Sequence, residues 1–241
     1  MNSYAISTWL VLLATTACLQ NVNCENRTPL MSAVMDNDLD LVKRLLANGA
    51  DAKATYHGYT ALMYAAAYGD DKMLEILLPK SDIKAADIYG NTALMYASKH
   101  GTAKMVEILL PKSDIKAADT YGSTALMYAA KYGTAQMVEI LLPKSDVKAA
   151  NTYGNTALML ATKYGTAKMV EILLPKSDVK AANIYGDTSL MLATYHGNDK
   201  MVEILLPKSN ANASNKDGDT ALDLAKARGS NQIVRLLQQH N

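Results

Sequence analysis

The side chains of this 241-residue chain that could do chemistry are few, and their spacing argues against catalysis. His57, His100, His196 and His240 stand singly, with no pair one helical turn apart that could share a metal ion. Cys18 and Cys24 are the only thiols, and both fall within the first 24 residues. The rest of the chain therefore has neither a disulfide framework nor a cysteine-based metal site. No glycine-rich loop leads into a helix in the pattern that cradles a phosphate. No catalytic residue, metal or cofactor is expected. What recurs is tyrosine, with 14 copies against one Trp and no Phe. A Tyr-Gly pair returns at Tyr89, Tyr121, Tyr153 and Tyr185, every 32 residues. Tyr is a rigid amphipathic contact residue, so this pattern points to recognition rather than reaction.

A fixed period of this size marks an array of small structural units. In "YGNTALMYASKHGTAKMVEILLPKSDI" (Tyr89 to Ile115), Thr92 precedes a helical run and can cap it. The first unit shows the same position plainly, because Thr28 is followed by Pro29, and Pro is tolerated at the first helical position. The helix from Ala93 to His100 is expected to stop at Gly101 through the left-handed conformation that glycine adopts without strain. Thr102 then caps a second helix, and the aligned residues Asp38, Asp70, Thr134, Thr166, Asn198 and Ser230 are all cap formers. Pro111 and its counterparts Pro79, Pro143, Pro175 and Pro207 are expected to end the second helix. The segment that follows reads as an extended loop.

Each unit is thus helix, tight turn, helix and long loop. Neither helix exceeds about ten residues, a length that is marginal in water without tertiary packing. Leu94, Met95 and Ala97 on one helix, with Met105, Val106, Ile108 and Leu109 on the next, must bury against neighbouring copies. Stacking makes an all-α solenoid held by nearest-neighbour contacts. The ends carry polar substitutions, as units lacking a neighbour should: Arg44 for the recurrent Ile, Asp223 for the recurrent Met and Gln238 for the second Leu. Seven units begin near Glu25, His57, Tyr89, Tyr121, Tyr153, Tyr185 and Asp217.

Residues 1–24 stand apart from this period. Ala5 to Ala17 is an apolar run too short for a comfortable membrane span, followed by small residues, and this fits a secretory signal peptide despite an N-terminus without Lys or Arg. "TTAC" before and at Cys18 also resembles a bacterial lipidation site, although Thr15 stands where Leu is usual. An apolar extension that packs on the first unit is the remaining reading. The expectation is export (secreted or periplasmic, with a lipid anchor at Cys18 as a variant), or a cytoplasmic location if the segment is not a signal. The sequons at Asn26 and Asn212 matter only on a eukaryotic secretory route.

From Glu25 to Asn241 the chain resembles the ankyrin repeats. "RTPLMSA", "YTALMYAAAYGD", "LLANGADAKA" and "DGDTALDLAKARG" are similar to that family's Thr-Pro-Leu-His helix start, glycine turn and Gly-Ala-Asp loop. Two departures are a period of 32 rather than 33, and "PKSD" in place of the Gly-Ala-Asp loop in internal units. Met stands where the family's tetrapeptide has His. The resemblance implies paired antiparallel helices with fingers projecting to one side, and a curved surface that binds other proteins. It also implies which positions the framework leaves free: the finger tips, the residue before the capping Thr and the last two residues of the first helix.

Those positions carry Tyr89, Tyr121, Tyr153 and Tyr185 at the finger tips, and Lys99-His100, Lys131-Tyr132, Lys163-Tyr164 and Tyr195-His196 at the helix ends. The tyrosine row admits two readings, a contact surface or mere packing of one finger on the next. Tyr64, Tyr96 and Tyr128 inside the first helix read as framework. Lysines interleaved with aromatics also occur on single-strand nucleic-acid binders. Against that reading, net charge is +1 and each internal unit carries a glutamate on its second helix (Glu75, Glu107, Glu139, Glu171, Glu203), so no basic excess steers a polyanion. The functional expectation is a monomeric, non-catalytic scaffold for a protein or peptide, an acidic one fitting the lysines. The alternative is a structural spacer without a dedicated partner.

Overall fold

Thr28, Thr60, Thr92, Thr124, Thr156, Thr188 and Thr220 all have extended backbones, and each hydroxyl accepts a hydrogen bond from the backbone N–H three residues on. Asp38, Asp70, Thr102, Thr134, Thr166 and Asn198 do the same for the second helices. These caps satisfy donors that a short helix would otherwise leave unpaired. The computed structural model of the protein describes residues 27–240. The N-terminal segment through residue 24, the expected start at Glu25 and the sequon at Asn26 lie outside the described residues.

Fourteen α-helices follow in seven antiparallel pairs among the described residues. They are Pro29–Met35 with Leu39–Ala47, Ala61–Tyr68 with Asp71–Leu77, Ala93–His100 with Ala103–Leu109, and Ala125–Tyr132 with Ala135–Leu141. Ala157–Tyr164 with Ala167–Leu173, Ser189–Tyr195 with Asp199–Leu205, and Ala221–Arg228 with Asn231–His240 complete the array. Successive pairs stack in chain order, and first helices pack more closely on one another than second helices do. Buried alanines at Ala93, Ala97, Ala125, Ala129 and Ala130 permit that approach. Unequal spacing curves the array, with the first (inner) helices on the concave side.

The core is continuous from end to end. Leu94, Met95, Ala97, Met105, Val106 and Leu109 are buried as the repeat requires, while Ile108 is half-buried. A fully buried Leu contributes roughly 1.5–3 kcal/mol, so each unit gains most of its stability from its neighbours. The ends behave as caps: Met191 is 2% exposed, whereas its counterpart Asp223 is solvent-exposed and closes a capping box with Thr220. Gln238 is exposed where Leu206 is buried, and Arg44 is exposed where Ile76 is half-buried.

Two local expectations are corrected. Gly69, Gly101, Gly133 and Gly165 close their inner helices without the left-handed conformation; Gly101, for instance, has φ −86° and ψ −156°. Glycine is needed there for space. A Cβ at Gly165 would lie 2.9 Å from the carbonyl oxygens of Ala161 on its own helix and Ala130 on the preceding inner helix. Only the first and the last two pairs turn through left-handed residues, at Asn37, Gly197 and Gly229. The prolines also do not stop the second helix by themselves. The α-helix ends two residues before Pro111, which sits in the middle of the 3-10 turn Leu110–Lys112. Pro has no N–H and its φ suits that turn. Ser113 then donates its hydroxyl to the Leu109 carbonyl at 2.9 Å, a bond repeated at Ser81, Ser145, Ser177 and Ser209.

The loops form fingers. Each closes on itself through an antiparallel bridge, Ala118 with Thr124 for example. The fingers of Tyr89, Tyr121, Tyr153 and Tyr185 also bond to the next through the tip tyrosine's backbone: Tyr121 O accepts from Thr152 N at 2.8 Å, and Tyr153 O from Ile184 N at 3.0 Å. Gly154 (φ +71°) follows Tyr153, where a Cβ would meet Asn183 Cα at 2.9 Å. The fingers thus stand in contact through backbone, and the tyrosine rings at their tips remain about half exposed.

Candidate functional site

The finger tips and the ends of the inner helices face one groove. It has a volume of about 400 Å³ and lies over the middle of the array. Tyr121, Tyr153 and Tyr185 form one wall, and Lys99, Lys131, Lys163, Tyr132 and Tyr164 form the other. Tyr121 and Tyr153 are 55% and 47% exposed and stack with ring centroids 6.5 Å apart. That ring contact supports the packing reading of the ladder, while the exposed ring area supports the contact reading.

Aromatic rings flank the lysines. Lys99 Nζ lies 5.4 Å from the Tyr132 ring centroid and Lys131 Nζ lies 4.7 Å from it. Lys131 is also 4.9 Å from the Tyr164 ring, and Lys163 is 5.2 Å from it. Cation and ring therefore alternate along the strip. Such contacts hold an exposed ammonium by ~0.5–1 kcal/mol without consuming its hydrogen-bonding capacity.

The remaining expected residues fall outside this groove. Tyr89 is exposed one finger earlier, and His100 stacks on Tyr68 at 6.4 Å. Tyr195 meets His196 edge-on at 5.3 Å, and Arg228 donates to the Tyr195 carbonyl at 2.6 Å. Burial, then the Lys99 charge, holds His100 below the ordinary imidazole pKa. Burial, then Lys163 and Arg228, does the same for His196. Both imidazoles are neutral at neutral pH, so the positive charge of the strip comes from the lysines.

Several groove residues go beyond the expected set. Asp119, 8% exposed, lies at its base: one carboxylate oxygen accepts from Tyr121 N at 2.8 Å and Ser123 N at 2.7 Å, the other from the Tyr128 hydroxyl at 2.7 Å. Asp87 and Tyr96 repeat the arrangement one unit earlier. Burial first, then the hydrogen bond to its aspartate, pushes the pKa of each tyrosine far above its ordinary value, so both hydroxyls remain donors. In the next units Asn151 and Asn183 keep the backbone bonds, and Leu160 and Leu192 replace the tyrosine. This pairing of Asp with Tyr and Asn with Leu is a signal present in the sequence. The groove sits at the change-over, where Leu160 leaves room that Tyr128 fills one unit before.

Among the described residues, no group of three His, Cys, Asp or Glu could hold a metal ion, and no helix is long and apolar enough to cross a membrane. The family model for ankyrin repeats (3 copies) matches residues 3–88, 35–119, 94–184 and 158–241, overlapping matches that span nearly the whole chain. No curated protein matches it.

Proposed function

Since the chain belongs to the ankyrin-repeat family, whose repeats are generally protein–protein interaction modules and typically non-catalytic, we propose that it is a scaffold binding an acidic protein or peptide along its concave Tyr/Lys groove. The observation that carries this reading is the alternation of Lys99, Tyr132, Lys131, Tyr164 and Lys163 opposite the exposed rings of Tyr121 and Tyr153. Rings supply desolvated contact area and lysines supply steering and register. Three lysines of the second helices do not compete for this role, because Lys104, Lys168 and Lys200 pair with Glu107, Glu171 and Glu203.

The test is affinity capture with residues 25–241, followed by the same capture with Lys99, Lys131 and Lys163 all changed to Glu. The partner should be lost from the variant, and its binding to the unaltered protein should weaken as salt rises from 50 to 500 mM. Retention of the same partner by the glutamate variant would overturn the reading.

We further propose that the array is exported, with residues 1–24 removed or lipidated at Cys18, and that it acts as a monomer. The apolar run Ala5 to Ala17 and the onset of the repeat at Glu25 support the export reading. Mass spectrometry of protein from its native source should find an N-terminus after Ala17, a lipid on Cys18 included; an intact Met1 would refute it.

A further inference from the structure

Three departures from the repeat coincide at the middle of the groove, at Ser123, Asn151 and Leu160, and together they leave one hydrogen-bond donor open. The finger bases are built alike. Asp119 Oδ1 accepts from the backbone N–H groups of Tyr121 and Ser123, and Asn151 Oδ1 accepts from those of Tyr153 and Asn155. These two bonds fix the orientation of the Asn151 amide. Its oxygen is held by the backbone, so its NH2 group takes the place of the second Asp119 oxygen. That second oxygen accepts from the Tyr128 hydroxyl at 2.7 Å. One unit on, Leu160 stands where Tyr128 stands and brings no oxygen. An amide NH2 only donates, so Asn151 needs an acceptor where Asp119 has a donor.

The later units supply that acceptor from the unit before. Asn183 Nδ2 donates to Asn155 Oδ1 at 3.5 Å, and Asn215 Nδ2 donates to Asp187 Oδ1 at 3.2 Å. The residue aligned with Asn155 and Asp187 that would serve Asn151 is Ser123, whose side chain is shorter. Among the described residues Asn151 Oδ1 is paired and Nδ2 is not. Ser123, Asn151 and Leu160 all line the groove, where Ser123 and Asn151 are half-buried. An occupant that covered this donor with an apolar group or a second donor would leave it unsatisfied, which is costly. Charge narrows the chemistry further. The groove lining sets the ammonium groups of Lys99, Lys131 and Lys163 against the one carboxylate of Asp119, whose oxygens already accept from three donors. On the premise that the groove is the binding site, we infer that Asn151 is a specificity-determining contact. Its amide receives an oxygen of a carboxylate side chain of the partner, in the place that the Tyr128 hydroxyl fills one unit earlier.

Two variants close this place without altering a lysine. In Ser123→Asn the new amide oxygen should accept from Asn151 as Asn155 accepts from Asn183, and in Leu160→Tyr a hydroxyl returns to the open position. Each rebuilds a pairing or a residue that another unit already carries, so both should melt within a few degrees of the unaltered chain. The probe is capped Glu-Glu-Glu, titrated into the full chain and followed by nitrogen-detected NMR of side-chain amides. It should move the Asn151 NH2 resonance, which is identified by its loss in Asn151→Asp. The unaltered chain should bind it at least about tenfold tighter than either variant does, as losing a hydrogen bond to a charged group implies. Equal binding by Ser123→Asn, an Asn151 resonance that stays in place while the peptide binds, or no binding of the peptide would overturn the inference. The scaffold reading is judged separately by the triple-glutamate capture. A partner lost from that variant but kept at full affinity by Ser123→Asn would leave the scaffold standing and remove this contact.

Discussion

Replacing Tyr121 and Tyr153 together by Ala should weaken binding of the captured partner by roughly a thousandfold and shift the melting temperature by only a few degrees. A hot-spot Tyr typically contributes about 2 kcal/mol or more, and two such losses correspond to about three orders of magnitude in Kd. The expected selectivity follows from what holds each residue in place. The finger is fixed by backbone groups, Tyr121 O with Thr152 N and Tyr153 O with Ile184 N, and an Ala substitution leaves these bonds intact. What the fold loses is the ring contact between the two tyrosines at 6.5 Å, an exposed aromatic pair with a contribution of about 0.5–1.5 kcal/mol. Binding measured by calorimetry beside melting followed by circular dichroism separates the two roles. A lowered melting temperature with unchanged affinity would make the ladder a stiffening device, and the spacer reading would replace the scaffold reading.

The fold was legible because the repeat states each local instruction several times. A threonine before a helical run caps it whatever the neighbouring pairs do, and the polar residues Asp223 and Gln238 mark an end because only an end tolerates them. The glycines at the helix turns depart from the expected left-handed conformation for a physical reason. Glycine is selected both for positive φ and for the absence of a Cβ, and the residue itself does not say which. Asn37 at the aligned position of the first pair fits the left-handed reading, whereas the carbonyl of Ala130 that excludes a side chain at Gly165 belongs to the preceding pair. The proline position has a similar explanation. Its role in the 3-10 turn depends on the Ser113 bond to Leu109, which is local but has no strong sequence signature.

At the groove, the exposed rows of Tyr and Lys could be read from their period. Their alternation could not, because Lys131 meets the Tyr164 ring of the following unit. Position in the array also divides residues that the period treats alike. Tyr89 and Tyr121 are equivalent by sequence, yet only Tyr121 lies beside the space opened by Leu160.

The buried carboxylate under that space should be the most sensitive single position in the middle of the array. Asp119→Ala should cost about 2–4 kcal/mol in urea unfolding, because it leaves Tyr121 N and Ser123 N without their acceptor in a part-buried setting and takes the charged acceptor from the Tyr128 hydroxyl, which keeps only Asn91 Oδ1 at 3.0 Å. Asp119→Asn should cost less, about 1–2 kcal/mol, because Asn151 shows that an amide oxygen can accept both backbone N–H groups at 3.0 Å. The remaining cost arises at Tyr128, whose hydroxyl loses the charged acceptor and faces an amide NH2 donor in its place. Removing the hydroxyl as well should therefore recover stability, and the internal units already carry that solution as Asn151 with Leu160 and Asn183 with Leu192. In a double-mutant cycle, Asp119→Asn and Tyr128→Leu should be coupled by at least about 1 kcal/mol, the double variant being less destabilised than the two single changes added together. Additive effects would mean that the Asp–Tyr pairing contributes nothing specific, and that the tyrosine is held by packing alone. Coupling would tie stability to recognition, because the same carboxylate that anchors Tyr128 also orders the backbone from Tyr121 to Ser123. The finger that presents the groove's aromatic wall then depends on a charge buried beneath it.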